Sequence, residues 1–467
     1  MSGARHAVKP PVTVAGSGSN ADDADLPAVM KSKPILVLGA GWAGLAAGVE
    51  LAARGYSVQV LESARQPGGR ARCVRFGELN IDNGQHLLIG AYRETLRLME
   101  SIGLRESDIF ARTPLRLAIR GHGQDLDLAS LPLPSPMHIG GGLMRARGLS
   151  LRQRGAAVKM AYRLWRRKFA LAEDCTVAML LEHEGQNTDL IRRLWEPLCL
   201  ATLNTPISRA SARAFLAVLR DAFTGNRGNA DLLIPRTGLG RIFPVPAVDF
   251  IEQRDGHVQL GRRANRLLIE DNRIIGIETG DKTVLADQVV LAVPPVAAAR
   301  LLQPHSALAG TAERLFQLSY ESITTVYLHY PEEVRLANAM LGLIGTHAQW
   351  VFDRSLCGQP GLMAAVISTD GPHTLMENRQ LIAAVSEEIS RLLPGGPSPL
   401  NSAVIREKRA TFACEAGVDA LRPEARTPVT GLWLAGDYTA TGYPATLEGA
   451  VRSGVQCARH IMDNARP

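Results

Sequence analysis

No window of the 467-residue chain holds the roughly 18 consecutive apolar residues that a membrane-spanning helix needs. One uncharged stretch, residues 336–352, is interrupted by Asn338, Thr346, His347 and Gln349. The six cysteines, at 73, 175, 199, 357, 414 and 457, are scattered, with no C-x-x-C and no His–Cys cluster. That excludes a disulfide framework and offers no metal site, so a reduced, cytoplasmic chain is expected. Residues 1–33 are rich in Pro, Gly, Ser and Asp and lack the apolar core of a signal peptide; they read as a disordered leader.

Acidic residues are missing altogether from residues 130–172, although the chain carries only seven more basic than acidic groups. That span contains Arg145, Arg147, Arg152, Arg154, Lys159, Arg163, Arg166, Arg167 and Lys168, interleaved with Leu151, Met160, Leu164, Trp165 and Phe169. The three- and four-residue apolar spacing predicts a basic amphipathic helix near 151–171. Such a helix suits peripheral contact with an anionic membrane surface, here the inner face of the cytoplasmic membrane, or is an ordinary solvated face. The chain carries no nucleic-acid-binding motif, so no nucleic-acid partner is expected.

What is present in abundance is glycine at particular places. The stretch "ILVLGAGWAGLAAGVELAARGYSVQVLE", residues 35–62, reads as strand, Gly-rich turn, helix, strand. Gly39 permits the tight turn, Gly41 lets backbone approach a pyrophosphate, and Gly44 lets the helix pack on the strand. The helix N-terminus then aims free N–H groups at the phosphates. Glu62, closing the second strand, is placed to accept hydrogen bonds from ribose hydroxyls. Six residues on, "GGRAR" offers Gly69 for close backbone approach and Arg70 to neutralise phosphate. Near the C-terminus, "GLWLAGDYTATGYPATLEGAVRSG" reads as strand, loop and helix. In it Asp437, after Gly436, can hold a sugar-alcohol hydroxyl, and Glu448 and Ala450 lie in the first turns of a helix directed at the cofactor.

Together these pieces resemble the two-dinucleotide flavoproteins, the superfamily of amine oxidases, protoporphyrinogen oxidase and carotenoid desaturases. The resemblance implies FAD as cofactor. It places the ADP half on Gly39, Gly41, Gly44 and Glu62, the pyrophosphate along Gly69 and Arg70, adenine against Ala264, and the ribityl chain at Gly436 and Asp437. It also implies an α/β fold: a Rossmann-like FAD domain assembled from residues 34–98, 235–300 and 425–467, and an α+β substrate domain from 99–234 and 301–424. Within these segments the patterning predicts helices beginning near Thr188 and Ser208 and over 378–393. It predicts strands at 323–330, 349–353, 361–368 and 402–409, and a β-meander followed by a buried strand within 258–293.

A narrower resemblance is carried by "GGRARCVRFGELNIDNGQHLLIGAYRETLRLMESIG" and "LWEPLCLATLNTPISRASARAFLAVLRD". These are similar to hydroxysqualene dehydroxylases, squalene-associated flavoproteins of bacterial hopanoid pathways. That implies a long-chain isoprenoid substrate whose allylic hydroxyl is removed reductively. An acid must protonate the hydroxyl. His86, with an ordinary pKa near ~6.5, Asp82, if burial raises its pKa, and Tyr443, in the C-terminal loop, are the candidates. Only one dinucleotide fingerprint is present, so an external electron donor is expected. Three other readings stand beside this one. An isoprenoid desaturase would run the flavin oxidatively. An amine oxidase is disfavoured by an aromatic content of only 5%. A prenyl-escort protein would use the fold without catalysis.

Overall fold

In the computed structural model the described residues are 33–464, apart from 122, 124 and 281. Of the expected leader, all but Lys33 lies outside them. The central strand Ile35–Leu38 is wholly apolar and wholly buried, as a strand covered on both faces must be. It pairs in parallel with Val58–Glu62 on one side and Val289–Leu291 on the other. His257–Leu260 and Leu432–Leu434 extend the sheet outward, also in parallel. Segments more than 200 residues apart thus meet in one five-stranded sheet, in the order 257–260, 58–62, 35–38, 289–291, 432–434. The stretch read as a meander divides: residues 257–260 join this sheet, and Arg266–Glu270, Arg273–Thr279 and Lys282–Leu285 form a separate antiparallel one.

The helix Trp42–Ala52 buries all eleven residues. Even Glu50 is enclosed, its carboxylate paired with Arg54 at 2.7 Å and Arg97 at 2.9 Å. On one flank the C-terminal helix Leu447–Asn464 lies against it so closely that a Cβ on Gly454 would stand 2.1 Å from the Ala43 carbonyl oxygen.

A second sheet of seven strands runs in the order 401–412, 320–329, 362–368, 350–353, 340–344, 116–121, 126–129. The last two strands come from a region whose sequence reads as mostly helical. They form here because Leu117, Ile119, Leu126 and Leu128 alternate onto a buried face. The run begun by Thr188 is helical throughout but passes through a π-helical segment, Ile191–Trp195, before Glu196–Leu203. The helix expected from Ser208 starts at Ser211, whose side chain caps the amide of Ala214. The basic helix spans Leu151–Arg166, opened by a Ser150–Gln153 capping box. It stops where Lys168 and Phe169 take positive φ.

Gly454→Ala is expected to destabilise the fold by about 1–3 kcal/mol through overpacking, read as a lower melting temperature. Gly155→Ala, on an exposed helical face with nothing within 4 Å, should stabilise the fold by roughly 0.5–1 kcal/mol. Equal melting temperatures for the two variants would show that the helix contact is not tight.

Candidate active site

A cavity of about 1030 Å³ opens where the parallel sheet meets the seven-stranded sheet and the helices of residues 137–223. At one end its wall is nearly bare backbone. Gly39 has φ +108° and lies against Ala292, whose carbonyl oxygen a Cβ would meet at 2.5 Å. The Gly68 amide donates to the Ala40 carbonyl at 2.8 Å, which docks the second glycine loop on the first. A Cβ on Gly69 would come within 3.2 Å of the Gly41 Cα. The helix behind Gly41 starts with no side-chain cap and no acid in its first turn. Its N–H groups and its dipole therefore favour an anion.

Glu62 closes its strand beside this turn, buried and lining the cavity. One carboxylate oxygen accepts the Ala40 amide at 2.7 Å, and the other accepts the Ala64 amide at 2.7 Å and the Ser63 hydroxyl at 3.2 Å. Of about four acceptor positions, that leaves one for a ligand hydroxyl. Ala264 and Ala450 also line the cavity. Gly436 lies under Tyr438, whose ring a Cβ would meet at 2.3 Å.

Beyond this end the wall turns apolar, with Leu117, Ile139, Leu143, Leu198, Leu219 and Phe223 among the lining residues. A polar belt of Asn83, Gln85, His86, Asn204, Glu407 and Thr411 lines the same cavity.

Residues 42–462 match the family described as flavin containing amine oxidoreductase. The chain is 30% identical over 443 residues to a hydroxysqualene dehydroxylase of Rhodopseudomonas palustris, covering 93% of this chain and 100% of that one. It is 24% identical over 489 residues to a zeta-carotene desaturase of Arabidopsis thaliana, covering 92% and 85%. Among solved structures, cyclohexylamine oxidase from Brevibacterium oxydans superposes with a TM-score of 0.67 at 17% identity, covering 93% of this chain and all of that one.

The chain belongs to the flavin-containing amine oxidoreductase family.

It is an FAD-dependent oxidoreductase, and the resemblance to hydroxysqualene dehydroxylases drawn from its motifs holds along nearly its whole length. The cavity suits the cofactor: an uncapped helix end and a side-chain-free glycine cradle for a pyrophosphate, and a carboxylate with spare acceptor capacity for a ribose.

Several residues singled out from the sequence take other places. Arg70 reaches the cavity, but its Nη2 pairs with both oxygens of Asp437 at 2.8 Å and its Nη1 donates to the Ala410 carbonyl at 2.8 Å. Its charge is therefore matched by Asp437 rather than left for phosphate. Glu448 does not line the cavity; fully buried, it accepts the Glu94 and Thr95 amides and the Thr95 hydroxyl and pairs with Arg452. It caps the helix Arg93–Ser101. Tyr443 is buried under the Arg452 guanidinium, 4.1 Å from its ring centroid, and burial pushes its pKa up. It does not reach the cavity.

Asp82 is likewise removed. One oxygen accepts the Leu239 amide at 2.8 Å, the other pairs with the buried Arg354 at 2.9 Å, and the residue does not line the cavity. Arg354, with no signal in its local sequence, also donates to Gln359 and Gln85. Of the three candidate acids only His86 lines the cavity, its Nδ1 2.8 Å from the Gly84 carbonyl oxygen. Glu407, unmarked within the charged run "REKR", is the cavity carboxylate that reading by motif passed over.

Glu62→Ala is expected to lose FAD on purification, since each lost hydrogen bond to a charged group is worth about 1.5–3 kcal/mol. The visible flavin absorbance of the purified protein measures it. Full absorbance in the variant would remove Glu62 from the cofactor site.

Proposed function

We propose that this flavoprotein removes the allylic hydroxyl of hydroxysqualene reductively to give squalene. The observation that carries the reading is that one cavity is lined by the glycine-rich cofactor turn, by a set of polar side chains and by many apolar ones. Its relatives of that name extend over nearly the whole chain. FAD, which the glycine turn and Glu62 would hold, would supply hydride chemistry once reduced by an external donor.

The protein's share is to hold the chain dry and to manage one proton. Leu117, Leu198, Leu219 and Phe223 would enclose the isoprenoid and keep water from an allylic cation. Burial holds the His86 ring below its ordinary pKa, against the raising effect of its bond to Gly84. A carbonyl only accepts, so Nδ1 carries the single proton of the neutral ring and Nε2 presents a lone pair. His86 in this state accepts a hydrogen bond, which suits it to orient the substrate hydroxyl rather than protonate it.

Anaerobic incubation of the holoenzyme with hydroxysqualene and a chemical reductant in deuterated water should yield squalene carrying deuterium on the former carbinol carbon. Unlabelled squalene would remove the hydride step. A product with additional double bonds would make the enzyme a desaturase.

We also propose that the enzyme meets its substrate at an anionic membrane surface. Among the described residues no helix is long and apolar enough to cross a membrane. The helix Met137–Arg145 places Ile139 and Leu143 on the cavity, while Met137 outside is 59% exposed. Nearby in sequence, Leu151 is 75% and Trp165 47% exposed. Arg163 and Arg167 are tied to the buried Glu184; exposed Arg145, Arg152, Lys159 and Arg166 have no carboxylate partner among the described residues. Replacing these four together by Gln should weaken sedimentation with anionic vesicles by on the order of 1 kcal/mol each, and leave flavin content unchanged. A parent protein that ignores such vesicles would make this an ordinary solvated face.

A further inference from the structure

We propose that Glu407 is the proton donor of the reaction, the group that converts the departing hydroxyl into water; this rests on the dehydroxylase reading above. Among the described residues lining the cavity, three carry carboxylates: Glu62, Asp437 and Glu407. Glu62 is held by two amides and a hydroxyl at the cofactor end. Asp437 has both oxygens on Arg70. Glu407 is differently placed. Its Oε2 accepts the Asn83 side-chain amide at 3.1 Å, while Oε1 has only a long contact, 3.4 Å, from the Arg409 amide. Oε1 is the oxygen left to bear and deliver a proton.

The backbone is shaped to put it there. Strand Asn401–Phe412 pairs with Tyr320–His329, and Ile323 faces Glu407 while Glu321 faces Thr411. One residue on one strand is matched by three on the other, so residues 408–410 bulge. The bulge breaks the two-residue alternation and brings Glu407, Ala410 and Thr411 all onto the cavity wall. Asn83 then ties Glu407 to both functional ends. Its amide also reaches the Arg70 carbonyl at 3.3 Å, and it begins the cavity-lining run that includes His86.

The step balances. The Glu407 O–H bond breaks as a new O–H bond forms on the substrate hydroxyl, and the allylic C–O bond breaks to release water. The carbon is reduced by the hydride of reduced flavin, and Glu407, left as carboxylate, takes its next proton from solvent. While ionised it also lies beside the developing cation in a water-poor site.

The test is single-turnover reoxidation of the pre-reduced holoenzyme by hydroxysqualene, followed by flavin absorbance. E407Q should slow it by roughly 10²–10⁴-fold, with FAD content and the flavin spectrum unchanged, and E407D should recover part of the rate. Reoxidation of E407Q at the parent rate would overturn the proposal and leave the dehydroxylase reading standing. Loss of FAD from both variants would assign Glu407 to holding the cofactor and overturn it as well. Failure of hydroxysqualene to reoxidise the parent enzyme would instead sink the dehydroxylase reading itself.

Discussion

The close approach of backbone to backbone at the first turn is the constraint on which the rest depends. A Cβ on Gly44 would stand 1.9 Å from the Gly39 carbonyl oxygen. Only glycine lets the helix Trp42–Ala52 leave the central strand at that distance. With the helix so placed, its uncapped end faces the cavity, the loop at Gly68 and Gly69 docks on it, and the C-terminal helix packs against it through Gly454. Three segments far apart in sequence are thereby brought to one anion-binding corner, and side chains contribute little because there is no room for them.

The polar belt is held from behind by a second, quite different device. Arg354 is buried and ion-paired with Asp82, and it donates to Gln85 and Gln359. The Tyr327 hydroxyl donates to the Asp82 carbonyl at 2.9 Å. A buried ion pair gains little net stability, but losing one partner leaves a stranded charge. The network therefore acts chiefly as a clamp on the run from Asn83 to His86, which reaches the cavity. Arg422 does the same for the C-terminal loop, donating to the carbonyls of Asp437, Thr439 and Tyr443. Both clamps use arginine, whose several donors in a fixed fork can satisfy several acceptors at once.

These two devices divide the labour of the site. The glycine corner recognises the cofactor through backbone, which constrains sequence tightly. The clamped belt and the apolar chamber are built instead from side chains supplied by helices and strands from separate parts of the chain.

The geometry of the glycine turn was legible from sequence because its determinants are local. Gly39, Gly41, Gly44 and Glu62 lie within one strand–turn–helix–strand unit, where spacing alone dictates geometry. The strands of the second sheet near 323, 350, 362 and 402 were legible for the same reason, as was the helix Asn378–Ser390. The carboxylates were not. Asp82, Glu448 and Glu407 carry the same group, and their surroundings are set by residues up to 354 positions away: Arg354 neutralises the first, Thr95 and Arg452 occupy the second, and a bulge exposes the third to the cavity. A glycine's role is written in its own backbone, so sequence determined the cofactor and the fold class. A carboxylate's role is written in its neighbours, so only the tertiary structure decided which of these three acids lines the cavity.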